Sequence, residues 1–393
     1  MKINKTILVT ACITAVVSVL LTNTVRDYTF VKNNGKIVKK LSDVTEIIME
    51  NSIYSANPDI IADNASAAIA DTIGDVYTRY LSADEYQQYI DSVSSSYFGV
   101  GLTLSSDIKT GNVKVLECAE NGPSAKAGIL AGDTLVFVDG KECNNETLTE
   151  VISHIKSKEV GTDIILNVLR NGEELEFVVP FEKVQTNLVS GQMIGSDIGY
   201  IRIESFKGSI DNDSKTAYDD FVDNVNNLRN EGMTKMIIDL RDNPGGDFGV
   251  VASIADEILS EGLITYTEDK NGKRSELNAM SGGLDYPIAV ITNGNSASAS
   301  EILTAALKDN GKAVVVGEKT FGKGVVQSCR RLFDGSGVIV TSSRYFTPSG
   351  VCIHDVGIEP DVECKLPEGT TLNDYTVEND PQIAKAVEEL LKK

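Results

Sequence analysis

The sequence predicts a multidomain α/β protein, and three stretches of different texture carry that prediction. Residues 27–95 are amphipathic and helix-forming, residues 96–183 alternate short strands with glycine turns, and from 184 onward strands alternate with helices. The last pattern implies a largely parallel sheet with crossover helices. At 393 residues the chain is long enough for two or three domains with proper cores. Apolar and charged contents of 41% and 24% are those of an ordinary globular protein. A formal charge of −21 makes nucleic acid a poor partner, because binding phosphates needs a basic face.

The chain opens on Met1-Lys-Ile-Asn-Lys5 and an uncharged, largely apolar run from Thr6 to Leu21 that stays uncharged to Val25. Residues 1–26 read as a signal anchor, because Thr22-Asn-Thr24 is not an Ala-x-Ala cleavage signal. Lys2 and Lys5 would hold the N-terminus in the cytoplasm and leave the rest outside, as a single-pass membrane protein; secretion after cleavage is the alternative. Beyond it, Ile37, Leu41, Val44, Ile47 and Ile48 recur at helical spacing, and Ile60 to Ile73 continues in helix formers. This region suits docking on the core or pairing with a second copy. Gly74 to Tyr80 breaks it, and Ala83 to Val93 reads as one more short helix. Cys12 lies in the anchor, leaving five cysteines and no Cys-x-x-Cys, so no metal site is expected. A Cys352–Cys364 bridge is permitted but nothing demands it.

In the second stretch, Tyr97–Leu102, Val113–Glu117, Thr134–Gly140, Asp163–Arg170 and Glu176–Val179 read as strands, with a helix from Leu148 to Lys156. Asn171-Gly172 between alternating runs is a strong hairpin signal. With Pro123-Ser-Ala-Lys-Ala-Gly-Ile-Leu-Ala-Gly-Asp133, the block resembles a PDZ domain. That resemblance implies that Phe98, Gly99, Val100 and Gly101 offer backbone N–H groups to a peptide's C-terminal carboxylate, the ligand strand adding to the sheet edge. The bland alternative is that these glycines only make tight turns. His154 lies near the end of its helix and reads as structural.

The third stretch holds the chemistry. Ser298 sits in Asn295-Ser-Ala-Ser-Ala-Ser-Glu301 and Lys323 in Gly317-Glu-Lys-Thr-Phe-Gly-Lys-Gly324, each just after a β-rich apolar run. A serine in a small-residue turn before a helix suits a nucleophile, and a chain with only two histidines has few other bases to offer. Two bland readings compete. Ser298-x-x-Glu301 is also a helix capping box, although capping does not explain three serines alternating with alanines. Gly317 to Lys323 matches a phosphate loop, but Gly324 stands where magnesium needs Ser or Thr, and the residues that follow are β-like rather than helical. A lysine base must start neutral. Reaching about 7.5 from a free value near ~10.4 needs roughly 3 units, about 4 kcal/mol, which a dry site can supply. Phe321, Val325 and Val326 are expected to surround Lys323 with apolar mass, while Gly322 and Gly324 allow close backbone approach. Ala299 and the pair Gly245-Gly246 are candidate oxyanion donors.

Together with Asp239-Leu-Arg-Asp-Asn-Pro-Gly-Gly246, Tyr345-Phe-Thr-Pro-Ser-Gly350, Gly357-Ile-Glu-Pro-Asp361 and Asp380-Pro-Gln-Ile-Ala-Lys-Ala386, these motifs resemble the carboxyl-terminal processing proteases. These are tail-specific serine peptidases that carry a PDZ domain, and the match runs from about residue 40 to the end. The resemblance implies a crotonase/Clp-protease-like ββα core with an inserted PDZ domain and an N-terminal helical region. The expected division is signal anchor 1–26, helical region 27–95, PDZ domain 96–183, protease core 184–375 and C-terminal helix 376–393. Ser298 matches the nucleophile, Lys323 the general base and Gln327 the glutamine that orients it; the oxyanion amides would be those of Gly246 and Ala299. No cofactor is implied. The expected substrates are extracytoplasmic proteins with free, apolar C-terminal tails at a bacterial cell membrane, and a homodimer through the N-terminal helices is compatible with the family. A catalytically idle PDZ adaptor is the alternative, disfavoured because the Ser, Lys and Gln are all in place.

Overall fold

The alternation read from residue 184 onward builds a six-stranded sheet in a computed structural model that describes residues 32–392 apart from 108–109, 145, 210–213 and 281. The proposed anchor at 1–26 lies outside the described residues; among them no helix is long and apolar enough to cross a membrane. The chain divides into two compact units, one ending at Tyr80 and one spanning Leu81–Lys393.

The first unit holds a helix over 32–51 and the helix Pro58–Asp71. Pro58 opens the second at a position where its missing N–H costs nothing, and the Asn57 side chain accepts from the Asp59 N–H at 2.8 Å. The apolar stripe of the first helix, including Ile37, Leu41, Val44 and Ile48, is exposed.

In the second unit the core sheet runs Val189–Ile194, Ile198–Ile203, Lys235–Asp239, Ile288–Thr292, Ala313–Gly317, Val362–Glu363. Its first pair is antiparallel and the rest are parallel. Parallel strands covered on both faces need not alternate, which is why Ile288–Thr292 is apolar almost throughout and wholly buried. Met236, Ile238, Ile288 and Val290 pack on one face with the helices Ala217–Asn230, Phe248–Ile258 and Ala299–Asp309. Ile237, Ala289 and Ile291 pack on the other, with Ile383, Ala386 and Leu390 of the C-terminal helix Pro381–Leu390. A second, antiparallel sheet includes Val325–Arg331, Gly337–Phe346, Gly262–Asp269 and Arg274–Ala279. Its strands are half-exposed and lack clean alternation, so the sequence pattern does not reveal this sheet.

The glycine-rich block forms a sheet ordered Leu102–Ser106, Val113–Cys118, Thr134–Val138, Asp163–Arg170, Glu173–Pro180 around its own core of Val115, Leu135, Val151, Leu166 and Val168. The hairpin falls at Asn171 and Gly172, with φ 53° and 86°, the left-handed pair a two-residue turn demands. Strands Ser96–Gly99 and Glu182–Gln185 pair with each other, so the chain enters and leaves the domain side by side. All five described cysteines are free thiols, Cys352 and Cys364 included.

Candidate active site

Ser298 is placed by the end of the Ile288–Thr292 strand and the start of the Ala299–Asp309 helix. Its neighbours in the alternating run are committed elsewhere. The Ser296 hydroxyl donates to the Leu240 carbonyl at 2.8 Å and the Ser300 hydroxyl to the Asn243 carbonyl at 2.9 Å, both serines being buried. Those two bonds clamp the turn to the 240–243 segment and leave Ser298, between them, facing a cleft. Its backbone has φ 56° and ψ −112°, a conformation an L-residue adopts only under constraint, at a cost of about 1–3 kcal/mol. The capping-box arrangement read from the sequence is present, with Glu301 accepting from the Ser298 N–H at 2.9 Å.

Glu301 does more than cap. Its carboxylate is fully buried and accepts four hydrogen bonds. Oε2 takes the N–H groups of Ser298 (2.9 Å) and Lys323 (2.8 Å). Oε1 takes the Thr320 hydroxyl (2.6 Å) and the Gly322 N–H (2.8 Å). One side chain thus ties the serine turn to the lysine loop. Tyr345, also buried, places its hydroxyl against the carbonyls of both Ser298 (3.1 Å) and Lys323. Neither role was read from the sequence. Glu301 stood only as a capping partner and Tyr345 only within a motif, because both contacts join segments far apart in the chain.

The cleft has a volume of about 560 Å³ and brings Ser298, Lys323, Gln327, Gly246 and Ala299 to one surface. Lys323 leads into the Val325–Arg331 strand, where the register shifts between Val326 and Gln327. That bulge breaks the in-out alternation, and Val325, Val326 and Gln327 all line the cleft. The expected apolar surround of Lys323 is corrected at one residue: Phe321 is 58% exposed and does not line the cleft, because its chain turns outward at Gly322, φ 94°. Gly322 and Gly324 do permit close approach. A Cβ on Gly324 would lie 2.5 Å from the His354 backbone nitrogen, and one on Gly322 would lie 3.0 Å from that of Gly357.

The two glycines of the Asp239–Gly246 motif separate by hydrogen bonding. The Gly245 N–H donates to Asn243 Oδ1 at 2.9 Å. The N–H groups of Gly246 and Ala299 meet no acceptor among the described residues. Gly246 must be glycine, since a Cβ there would come within 2.4 Å of the Phe206 carbonyl group. The turn is held from below by a buried network. Arg241 bonds Asp239 (Nε to Oδ1, 2.9 Å), Asp380 (2.8 Å) and Gln382 (2.8 Å), and Tyr200 donates to Asp239 at 2.8 Å. Burial first, then the Asp239 charge, pushes the Tyr200 hydroxyl well above its usual range.

In the 96–181 block, the Val100 and Gly101 N–H groups likewise meet no acceptor among the described residues, and Phe98 is half exposed. The Val100 side chain is core, so its contribution to a ligand is backbone only. Gly99 belongs to the paired strand Ser96–Gly99. Among the described residues no three His, Cys, Asp or Glu side chains gather to hold a metal ion.

A PDZ-like β module beside an α/β core whose cleft holds Ser298 is the plan of a PDZ-bearing serine peptidase, and comparison with known proteins agrees on that class. The peptidase family S41 model matches residues 197–364 and the PDZ domain model residues 96–181. A probable CtpA-like serine protease of Staphylococcus aureus is 31% identical over 94% of this chain and 72% of its own length. The chloroplastic carboxyl-terminal-processing peptidase 3 of Arabidopsis thaliana is 34% identical over 76% of this chain and 59% of its own. The fold is shared with a putative S41 protease from Bacteroides fragilis, at a TM-score of 0.54 and 16% identity, covering 87% of this chain and 92% of that one. The chain belongs to the S41 serine peptidases, as a PDZ-containing, CtpA-like C-terminal processing protease.

Proposed function

We propose that the protein cleaves proteins presented by their C-terminal tails, with Ser298 as nucleophile and Lys323 as general base. The observation that carries this reading is the shared cleft, in which Ser298 is the one serine of its run with no hydroxyl bond to the 240–243 segment. Ser298 Oγ bonds to the scissile carbonyl carbon as its proton passes to Lys323 Nζ. The carbonyl electrons move onto oxygen, facing the amides of Gly246 and Ala299. Collapse breaks the C–N bond, Lys323 returns the proton to the leaving amine, and water then releases the acyl group from the serine. Gln327, on the same wall, orients the lysine. The unpartnered amides at Val100 and Gly101 support a tail carboxylate at Phe98–Gly101, with the ligand strand added beside Leu102–Ser106.

Ser298→Ala and Lys323→Ala should each abolish cleavage of a protein with an apolar tail while circular dichroism and thermal melting stay those of the parent. Turnover surviving in either variant overturns the assignment. An extracytoplasmic site of action rests on the basic start and apolar run of residues 1–26, and fractionation of cells with protease shaving of intact cells tests it. The exposed stripe of Ile37, Leu41, Val44 and Ile48 supports pairing with a second copy, which sedentation of the parent against Leu41→Glu by analytical ultracentrifugation tests.

A further inference from the structure

Lys207 has no place in the chemistry above, yet it lies on the wall of the cleft that holds Ser298. It also lines a second pocket of about 380 Å³, formed with Tyr97, Thr103, Glu117 and Glu120 of the PDZ domain and Glu204 of the core. The two cavities therefore share Lys207. The segment that carries it is fixed: the Phe206 N–H donates to the Gly245 carbonyl at 2.9 Å, and the Ser95 N–H donates to the Gly208 carbonyl at 2.8 Å. The lysine is half-buried, and burial presses its amine below the usual range, with Glu204 acting weakly the other way. No hydrogen bond or ion pair to its ammonium exists among the described residues. A half-desolvated cation without an acceptor is a cost that a bound anion would offset.

Resting on the reading that tails pass from the PDZ domain to Ser298, we propose that Lys207 is a specificity-determining residue that receives a carboxylate of the substrate at one position. The charges around it sharpen this to a single position. Glu117, Glu120, Glu204 and Asp91 line the same second pocket, Asp91 being paired with Lys156 at 3.3 Å. A substrate carboxylate is repelled along that pocket and welcomed only where Lys207 reaches it. The carboxylate is either an internal Asp or Glu side chain or the free C-terminus of a short tail.

The test is a walk of single Glu residues, each paired with its Gln isostere, along one apolar-tailed peptide, made with both free and amidated C-termini. The readout is the Glu/Gln ratio of kcat/KM for the full chain. One position should favour Glu about tenfold, the scale of one charge-assisted hydrogen bond, and its neighbours should be neutral or disfavour it. Lys207→Met should flatten that maximum, Lys207→Glu should invert it, and Lys207→Arg should keep it. If amidation removes a comparable preference in the parent and not in Lys207→Met, the carboxylate is the terminal one. A flat walk with both termini, or a maximum that persists in Lys207→Met, overturns the proposal. Because each ratio is taken within one enzyme, it is independent of total activity and of whether Ser298→Ala is dead, so the two readings fail separately.

Discussion

Replacing Glu301 by Gln changes one atom and tests how the two halves of the site are joined. Each carboxylate oxygen takes two donors: Thr320 Oγ1 and the Gly322 N–H on one, the Ser298 and Lys323 N–H groups on the other. Glutamine fits the same space, but only one of its terminal atoms accepts. Whichever way the amide turns, one pair of donors keeps an acceptor and the other pair faces an NH₂ group. Hydrogen bonds to a charged group are each worth about 1.5–3 kcal/mol, so two of them put about 3–6 kcal/mol at risk. Relaxation is restricted, because Glu301 is fully buried and the helix behind it is packed along its length. We expect urea unfolding to show a loss of about 3 kcal/mol or more at unchanged m-value. We also expect kcat to fall more than KM rises, because the serine and lysine lose their shared anchor rather than their contact with the tail. Glu301→Gln with the midpoint and kcat of the parent would refute the claim that this carboxylate holds the site together.

Arg241→Met removes the cation that bridges Asp239 and Asp380, both almost wholly inaccessible to solvent, leaving Asp239 only its longer 3.7 Å pair with Arg202, and breaking a buried pair in this way costs about 3–5 kcal/mol; denaturation by urea should show it, and a loss under 1 kcal/mol would mean the network is incidental. In the PDZ domain, burial alone would raise the Asp133 pKa, but the Arg170 bonds (2.7 and 2.6 Å) and the Leu130 N–H (2.9 Å) outweigh it and hold it below its usual value. A depressed carboxylate contributes stability that is present above its unfolded pKa, near ~3.9, and is lost as pH falls through the folded value. Stability to urea of the intact chain should therefore keep its full Asp133 contribution at pH 7 and shed it below about pH 4, whereas Arg170→Met lowers stability already at pH 7; equal pH profiles for parent and variant would count against the pair.

The parts of the fold legible in the sequence are those whose pattern is local. Ile288–Thr292 announces a buried strand because both its faces are covered, and Asn171-Gly172 announces its hairpin because the backbone there turns left-handed. Ser298 and Lys323 were legible as residue types in special turns. What escaped is what depends on distance. The four-donor role of Glu301 spans 19 to 22 residues for its lysine-loop contacts, and the Tyr345 hydroxyl reaches Ser298 across 47. The outward turn of Phe321 depends on what packs behind Gly322, which periodicity cannot report. The shared wall at Lys207 exists only once the PDZ strands are folded against the core.

The phosphate-loop resemblance of Gly317 to Gly324 has its own physical resolution. In a true phosphate loop, glycines free successive amides to surround an anion, and a lysine side chain completes the shell. Here too an anion is held by successive amides, those of Gly322 and Lys323, but it is the Glu301 carboxylate, supplied by the helix that begins at Ser298. The glycines are accounted for by approach rather than by ligand: Gly324 admits the His354 backbone, and a Cβ on Gly317 would meet the Thr292 carbonyl oxygen at 2.3 Å. With the amides committed to an internal carboxylate, no phosphate nest remains, and the Lys323 side chain is left to the cleft wall it shares with Gln327. The loop uses anion-binding geometry to fix the distance between two segments. Ser298 and Lys323 are thereby held together across the helix Ala299–Asp309 and the strand Ala313–Gly317 that separate them in the chain.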